Sequence, residues 1–380
     1  MSLRDVPALF MRGGTSKALV FDIKDLPEDR ADWDRIFLSA MGSPDPNMRQ
    51  LDGMGGGLSS LSKICVVGPA SRADADVDYT FGQVSIDGQS VDYAGNCGNM
   101  VSAMGPAALE FGYVARPPGD QVRIRVHNTN TGKLIVSRFP VHDGLLDPHG
   151  DLAIDGVAGT AAPIRLEFME PGGAKTGNLL PSRSPVDELV LPDGRRYQAS
   201  LVDAANPCVF VAAEALDKTG TEHPEALAAD GDFIQTMELI RCAGQVRMGM
   251  SADMEAAAEM RAIPKVAIVA EPQPMETISG GEIRAEAMDI VVRMLSMEQP
   301  HRAVPITGAI CLAIACRIPG SIPATLCAGS EGPLTLAHPS GTILVDSDVV
   351  SGDDGLPHAV SGTVYRTARK LFTGRVHYRD

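Results

Sequence analysis

The feature that most constrains the fold is a pair of segments that are apolar on nearly every face. Residues 100–111 read Met-Val-Ser-Ala-Met-Gly-Pro-Ala-Ala-Leu-Glu-Phe, and residues 306–318 are almost as apolar. A helix without a polar face must be enclosed by protein on every side or lie in a membrane. The second segment contains Thr307 and Arg317 and is too short to span a bilayer. The sequence therefore predicts two buried helices, one in each half of the chain.

Alternating apolar and polar residues, punctuated by Gly, Asp and Asn, predict strands around these helices. Residues 77–93 are typical of a hairpin that turns at Asp87-Gly88, and residues 122–136 of a second that turns at 128–132. Amphipathic patterns predict surface helices at 30–41 and 233–248. The fold class is therefore expected to be α+β.

The two halves share a layout of strand, polar turn, strand, apolar helix and hairpin turn. The helix start and the hairpin turn are 35 residues apart in the first half, at residues 97 and 132, and 33 apart in the second, at 308 and 341. We therefore expect two similar domains, each a sheet wrapped around a helix, whose helix N-termini face a shared cleft. Pro- and Ser-rich residues near 181–195 place the domains at 1–185 and 186–380, and the final strand either stays in the second domain or returns to the first.

Composition and charge exclude several classes of function. The 380 residues carry a net charge of -15, which argues against nucleic acid and anionic membranes as partners. Seven cysteines without a C-x-x-C pair and eight histidines without a ligand spacing predict no metal site and no disulfide framework. The first residues lack the layout of a signal peptide, so we expect a cytoplasmic protein.

Two reactive side chains stand out against this background. Cys97 lies in Asn-Cys-Gly-Asn directly before the first apolar helix, where the helix dipole favours a thiolate. Lys63 ends the Gly- and Ser-rich run 52–63, which we interpret as a loop that presents an amine. A thiol and an amine in one pocket could transfer a proton. The alternative is a core cysteine and a surface lysine.

The Gly-rich run 53–57 invites comparison with a nucleotide-binding loop. It lacks the GK[ST] ending of a P-loop and the glycine spacing of a dinucleotide site, and no βαβ pattern surrounds it. We interpret its glycines as allowing the tight bend that presents Ser62 and Lys63.

Ten motifs in this order resemble those of the PrpF family, from residue 7 to about residue 375. They are Met11–Lys17, Leu51–Gly56, Ser62-Lys63, Asp76–Tyr79, Gly95–Asn99, His127–Gly132, Ala205–Pro207, His301–Ala303, Arg317–Gly320 and His338–Gly341. The family contains 2-methylaconitate isomerases, 3-methylitaconate isomerases and 4-oxalomesaconate tautomerases. The resemblance implies the fold of diaminopimelate epimerase, with two pseudo-symmetric domains, and a catalytic pair formed by Lys63 and Cys97.

One departure bears on the reaction. Epimerases of this fold are expected to carry a second catalytic cysteine at the start of the second central helix. This chain has Pro305-Ile-Thr-Gly-Ala309 there, and Cys311 follows about one turn later. Two bases on opposite faces of one carbon are then lacking, which argues against epimerisation.

The reaction that the resemblance implies is a 1,3-allylic proton shift. A base removes a proton next to a C=C–COO⁻ unit, and an acid returns a proton two carbons away. Nothing is oxidised and no water is added, so no cofactor is expected. Lysine is a poor base at its reference pKa of about 10.4, and desolvation is one way to improve it. We therefore expect Lys63 to be partly buried and favour it as the base, although the assignment of base and acid between Lys63 and Cys97 stays open.

Further residues are candidates for binding the substrate. Helix N-termini bind anions, which points to the N–H groups following Asn96 and Thr307. Several candidates have a simpler alternative. Asn96 could serve only as a helix cap, and the turn at 15–17 could be an exposed hairpin turn. Asn206-Pro207 could be an ordinary turn. The full set of substrate-binding candidates is Thr15, Ser16, Lys17, Ser62, Asn96, Gly98, Asn99, Asn206, His301, Thr307 and Gly308. The remaining six cysteines are interpreted as packing residues.

The sequence thus predicts a cofactor-independent isomerase that moves or isomerises a C=C bond in a small unsaturated di- or tricarboxylate. Two alternatives stay open: a non-enzymatic accessory protein of an aconitase-like dehydratase, and an epimerase of a small amino or hydroxy acid. The expected partner is the small polycarboxylate, with neither nucleic acid nor membrane. A homodimer is an open possibility.

Overall fold

The computed structural model describes residues 3–94, 97–329 and 331–379. The chain divides into two compact units, Met1–Glu167 with Tyr365–Asp380, and Phe168–Val364. The sequence placed its boundary after residue 185. Residues 168–185 nevertheless group with the second unit, where the Gly173 N–H donates to the Asp203 carbonyl and the Asp203 N–H donates to the Leu179 carbonyl. The last strand lies in the first unit.

Short helices and many strands follow one another along the described residues. The α-helices are α1 Trp33–Met41, α2 Gly98–Phe111, α3 Pro224–Ala229, α4 Gly231–Arg247, α5 Met254–Glu259, α6 Ile306–Ala315 and α7 Ile322–Leu326. The strands are β1 Leu3–Gly13, β2 Ser16–Asp22, β3 Lys63–Pro69, β4 Val77–Val84, β5 Val91–Asp92, β6 Gln121–Asn128, β7 Lys133–His142, β8 Leu145–Leu146, β9 Leu152–Ala153, β10 Thr160–Ala161, β11 Ile164–Met169, β12 Asp187–Val190, β13 Arg196–Ala204, β14 Asn206–Ala212, β15 Lys265–Ala270, β16 Met275–Glu276, β17 Glu282–Ile283, β18 Ile290–Ser296, β19 Gln299–Pro300, β20 Leu334–His338, β21 Gly341–Ser351, β22 Pro357–Arg366 and β23 Ala368–Arg379.

In the first unit the sheet has α1 on one face and α2 on the other. Strand β1 pairs antiparallel with β2 and β23, β2 parallel with β3, β3 antiparallel with β4, and β4 parallel with β6. Leu19, Phe21 and Ile64 pack against α1, where the Phe21 and Phe37 ring centroids are 5.3 Å apart. Alternate residues of these strands therefore point away from α1, towards the face that α2 contacts.

Helix α2 is enclosed as its sequence predicted. Every residue from Met100 to Leu109 is buried. The helix contacts strands on several sides, including β1, β2, β3 and β6. Burial of a nearly apolar helix contributes a free energy of about 25 cal/mol for each Å² of apolar surface removed from water, which favours this segment at the centre of the unit.

The second unit repeats the connectivity of the first. Strand β13 pairs antiparallel with β14, β14 parallel with β15, β15 antiparallel with β18, and β18 parallel with β20. Helix α6 is buried from Gly308 to Ala315, and α4 packs against the sheet in a separate apolar cluster. The predicted α+β class, with strands around one apolar helix in each half, is confirmed.

Most predicted elements are present with shifted ends. The hairpin at 77–93 forms from β4 and β5, and the one at 122–136 from β6 and the longer β7. The amphipathic segment 30–41 begins with a short 3-10 turn, Arg30–Asp32, before α1. None of the helices in the described residues combines the length and apolar character needed to cross a bilayer.

Candidate active site

Lys63 is the first residue of β3, a position that corrects the prediction of a loop lysine. It pairs in register with Ala18 of β2 and Gln83 of β4. Its side chain is 8% exposed, and its Nζ lies 5.0 Å from the centroid of the Phe81 ring. The expectation of a partly buried amine agrees with this placement. The strand forms because residues 64–67 are apolar and three of these four residues are β-branched.

Gln83 is a candidate site residue that the sequence reasoning missed. Lys63 Nζ donates a 2.6 Å hydrogen bond to Gln83 Oε1. The other end of the amide is fixed, because Gln83 Nε2 donates to the backbone carbonyls of Ser62 at 2.9 Å and Ser59 at 3.1 Å. The amine therefore faces a neutral amide oxygen and an aromatic ring, and neither carries a charge. Only the cross-strand register of β3 and β4 could have identified Gln83.

Replacement of Gln83 tests whether it positions the amine. In Gln83→Glu a carboxylate stabilises the ammonium form, so the pH at which turnover rises is expected to move to higher pH. In Gln83→Met the hydrogen bond is lost, and kcat is expected to fall about tenfold. Activity measured against pH for both variants is the test. An unchanged profile in Gln83→Glu contradicts the positioning role, and Gln89→Glu on the exposed turn nearby is the matched control.

Cys97 lies at the N-terminus of α2, as predicted, and it occupies the N-cap position that the sequence analysis gave to Asn96. Its backbone is extended, with φ -111° and ψ 97°, and its carbonyl accepts the 3.1 Å hydrogen bond from the Val101 N–H. The thiol is partly exposed. The first N–H groups of a helix have no partners within the helix, so they create a positive potential at this end. Gly98 and Asn99 form that first turn. Asn96 lies outside the described residues.

Lys63 and Cys97 both act electrostatically on the buried Cys65. Cys65 is two residues after Lys63 on the same face of β3, and its Sγ lies 4.0 Å from the hydroxyl of Tyr79. Burial raises the pKa of Cys65, the Cys97 thiol raises it further, and the Lys63 ammonium lowers it. Cys97 also raises the pKa of the buried Tyr79, after burial and Cys65. The amine and the partly exposed thiol are therefore both within electrostatic reach of one buried sulfur.

The β1–β2 turn packs against the start of α2. Asn99 Nδ2 donates a 3.1 Å hydrogen bond to Thr15 Oγ1. Gly14 has a φ of +50°, and a Cβ at this position would lie 2.2 Å from Asn99 Oδ1. Only glycine fits both the left-handed conformation and the close approach of Asn99. Thr15 therefore contacts Asn99, which follows Cys97 by two residues in the sequence, and Thr15 remains exposed.

Other candidates in the first unit are placed differently. Ser16 is buried on the face that Lys63 shares, two residues before its register partner Ala18. Lys17 points to the opposite face, where its Nζ lies 5.6 Å from the centroid of the Phe10 ring. The structure therefore does not bring Lys17 together with Lys63, because adjacent strand residues point to opposite faces.

Ser62 is bound into the preceding loop. Its Oγ lies 2.6 Å from Gln50 Oε1 and 2.8 Å from the Leu58 carbonyl, and its side chain is fully buried. Gln50 Oε1 also accepts from the Gly57 N–H at 3.0 Å. These contacts give Ser62 a role in closing the Gly-rich loop before Lys63, so it is not placed to contact a substrate.

Four candidates lie in the second unit. Asn206 begins β14, and its Nδ2 donates to the Pro207 carbonyl at 3.2 Å. Thr307 is in the first turn of α6, and Gly308 is buried where a Cβ would lie 2.5 Å from Met294 Sδ. The shared cleft at the N-termini of α2 and α6 stays a prediction.

His301, the fourth of these, is a half-buried residue between β19 and α6. Its imidazole Nε2 is 2.9 Å from Ser296 Oγ, and its backbone N–H donates to the Met294 carbonyl at 2.8 Å. Burial lowers its pKa to about 4, with a smaller contribution from the positive charge of Lys265. His301 is therefore neutral at physiological pH.

The other cysteines are free thiols. Cys65, Cys208, Cys242, Cys311 and Cys316 are buried, whereas Cys327 is partly exposed. Burial raises the pKa of Cys311 far above its ordinary value, and its Sγ lies 3.4 Å from the Val202 carbonyl. Among the residues the structure describes, no group of three or more His, Cys, Asp or Glu side chains is arranged to bind a metal.

Comparison with known proteins places these residues in a family context. The family model described as PrpF protein matches residues 3–379. The 3-methylitaconate isomerase of Eubacterium barkeri is 39% identical over 98% of this chain and 97% of its own. The 2-methyl-aconitate isomerase of Shewanella oneidensis is 38% identical over 98% and 96%. The (4E)-oxalomesaconate Delta-isomerase of Novosphingobium sp. (strain KA1) is 38% identical over 99% and 98%.

A solved structure has the same fold. The crystal structure of methylitaconate-delta-isomerase superimposes with a TM-score of 0.91 and 38% sequence identity. The match covers 100% of this chain and 96% of the other. The arrangement of strands around two central helices is thus that of an experimentally determined structure.

Proposed function

Because the chain belongs to the PrpF family, we propose that it catalyses a 1,3-allylic proton shift in a small unsaturated di- or tricarboxylate, with Lys63 and Cys97 as the catalytic pair. The family membership expected from the motifs is confirmed, and so is the prediction of an isomerase. The observation that carries the assignment of the pair is geometric: Lys63 points to the face of the sheet that α2 contacts, and Cys97 is the N-cap residue of that helix.

Lys63 is the proposed base. Its free amine takes a proton from the carbon next to the C=C–COO⁻ unit, and the electron pair of the broken C–H bond spreads into an extended enolate. Gln83 Oε1 holds the amine by accepting one of its N–H groups at 2.6 Å. Because this partner is a neutral amide, it orients the nitrogen without stabilising the ammonium as strongly as a carboxylate does.

Cys97 is the proposed acid. Its thiol delivers a proton two carbons away from the site of abstraction, which completes the shift of the double bond. The thiolate that remains is stabilised by the N-terminus of α2. Transfer of the proton from the Lys63 ammonium to this thiolate restores both groups for the next turnover. Overall one C–H bond breaks, one forms, and no electrons are exchanged with a cofactor.

The start of α2 is the proposed anion site for a substrate carboxylate. Backbone N–H groups of Gly98 and Asn99 and the exposed hydroxyl of Thr15 are donors at this end of the helix. Such donors favour the negative charge that develops on the enolate and its carboxylate. The substrate within the family stays open among methylaconitate, methylitaconate and oxalomesaconate.

Epimerisation is the weaker alternative. A two-thiol epimerase needs an accessible second cysteine, yet the N-cap of α6 is Pro305, and Cys311 is buried with its thiol against a backbone carbonyl. A thiol whose pKa is raised by burial is a poor proton donor and acceptor near neutral pH.

Incubation of the protein in deuterated water with each of the three polycarboxylates, followed by NMR, tests the proposed reaction. We expect the double bond to move in at least one of them, with deuterium at the new allylic position. Inversion at one carbon of a chiral amino or hydroxy acid, without isomerisation of any polycarboxylate, supports the epimerase. Absence of exchange in every compound contradicts the proposal and leaves the accessory role.

We also propose that the enzyme works in the cytoplasm, because a catalytic thiol is maintained in its reduced form there. Expression with a fluorescent tag and fractionation of the cells tests the location. A homodimer stays a prediction that size-exclusion chromatography with light scattering decides.

A further inference from the structure

Lys265 occupies in the second unit the position that Lys63 has in the first. Lys63 is the first residue of β3, which runs parallel to β2, and Lys265 is the first residue of β15, which runs parallel to β14. Lys63 pairs with Ala18, the third residue of β2, and Lys265 pairs with Cys208, the third residue of β14. The repeated connectivity of the two units makes the two lysines structural counterparts. No motif in the sequence singles out Lys265.

The polar neighbours of Lys265 come from the adjacent antiparallel strand. Val266 of β15 pairs with Leu295 of the antiparallel strand β18. This register places Ser296, the residue after Leu295, opposite Lys265. Gln83 has this place in the first unit. Ser296 Oγ is 2.9 Å from His301 Nε2, and Lys265 lowers the pKa of His301 through its positive charge. Lys265, Ser296 and His301 therefore form one polar cluster.

Among the residues that the structure describes, no carboxylate pairs with the positive charge of this cluster. Burial lowers the pKa of Lys265, and only Cys208 raises it. No carboxylate of the described residues contributes to the pKa of either Lys265 or His301. The nearest acidic residue along the chain, Glu298, pairs with Arg261. A half-buried ammonium beside an imidazole is costly unless an anion joins it.

We infer that Lys265, with Ser296 and His301, forms a carboxylate-binding site in the second unit that takes one carboxylate of a small polycarboxylate. The inference rests on the proposed function for the substrate class. A carboxylate between these groups accepts a charge-assisted hydrogen bond from the Lys265 ammonium and a second from the hydroxyl or the imidazole.

The repeat also explains why Lys265 binds and does not transfer protons. In the first unit the lysine shares its surroundings with a partly exposed thiol at the N-cap of α2. In the second unit Pro305 has the N-cap position of α6, and the nearby thiols Cys208 and Cys311 are buried. The second repeat therefore keeps the cation and lacks the accessible thiol, which suits recognition of a fixed negative charge.

Binding of tricarballylate, a saturated tricarboxylate that cannot undergo an allylic shift, tests this site by isothermal titration calorimetry. Lys265→Met is expected to weaken binding by about tenfold or more, since a hydrogen bond to a charged group is lost. Lys265→Arg is expected to recover part of the affinity. Lys175→Met, which removes an exposed lysine from the same unit, is the matched control and is expected to bind normally.

The outcomes separate this site from the proposed reaction. With a turned-over substrate, Lys265→Met is expected to raise KM by a similar factor and to change kcat by less than about threefold. Tricarballylate affinity that is equal in wild type and Lys265→Met, or absent in wild type, overturns the site even if the enzyme isomerises. Loss of affinity in the variant supports the site even if no allylic shift is found. Lys265→Gln replaces the methionine variant if that variant does not fold.

Discussion

Lys63→Ala is expected to lower turnover by about 10²- to 10⁴-fold, the usual contribution of a positioned base. The variant removes the amine that Gln83 holds against the Phe81 ring, and no other described side chain donates to that amide oxygen at this position. Deuterium exchange into the substrate in deuterated water is expected to stop as well, because no proton is abstracted. Steady-state kinetics and NMR exchange measure the two effects.

The control for this variant is Lys133→Ala, which removes an exposed lysine from the same unit. Thermal unfolding of Lys63→Ala shows whether the loss of activity reflects chemistry, because loss of the hydrogen bond to Gln83 alone is expected to cost about 1–3 kcal/mol. Near wild-type turnover in a folded Lys63→Ala protein removes this residue from the mechanism.

Cys97→Ser is expected to lower turnover by a similar factor while it preserves part of the chemistry. The serine hydroxyl has nearly the same size, yet it is a much weaker acid than the thiol and gives no stable anion near neutral pH. If Lys63 is the base, the variant still abstracts the proton and exchanges it with solvent. Substrate recovered from deuterated water is then expected to contain deuterium although little product forms.

This exchange pattern assigns the two roles. Exchange that persists in Cys97→Ser and stops in Lys63→Ala identifies the lysine as base in the direction studied, and the reverse pattern exchanges the assignment. Cys327→Ser, which changes the other partly exposed thiol, is the control and is expected to retain activity. Unaltered turnover in a folded Cys97→Ser protein contradicts the catalytic pair.

The two central helices were predictable because an apolar segment allows few environments. The sequence located the start of α2 and the start of α6 each within two residues, since an apolar run that must be buried on every side is visible in composition alone. It also placed Cys97 at a helix N-terminus, because a turn motif directly precedes the apolar run. Hairpins at 87–88 and 128–132 followed from turn residues that are local signals.

The surroundings of Lys63 were less accessible to sequence reasoning. The Gly- and Ser-rich run before it suggested a loop, yet the residue starts a strand whose pairing with β2 and β4 fixes its direction. The same pairing turned Lys17 to the opposite face and selected Gln83 as the partner of the amine. Cross-strand register depends on residues about 20 to 45 positions apart, and no local pattern specifies it.

The amino-acid order by itself determined the family and the two enclosed helices, and it supplied the proposed thiol and amine, because motifs and apolar composition are properties of short stretches of chain. Tertiary structure alone decided which side chains meet: the amide that orients Lys63, the sulfur that both reactive groups influence, and the lysine at the equivalent place in the second repeat. Those neighbours come from separate strands, and their proximity is a consequence of sheet pairing that exists only once the chain has folded.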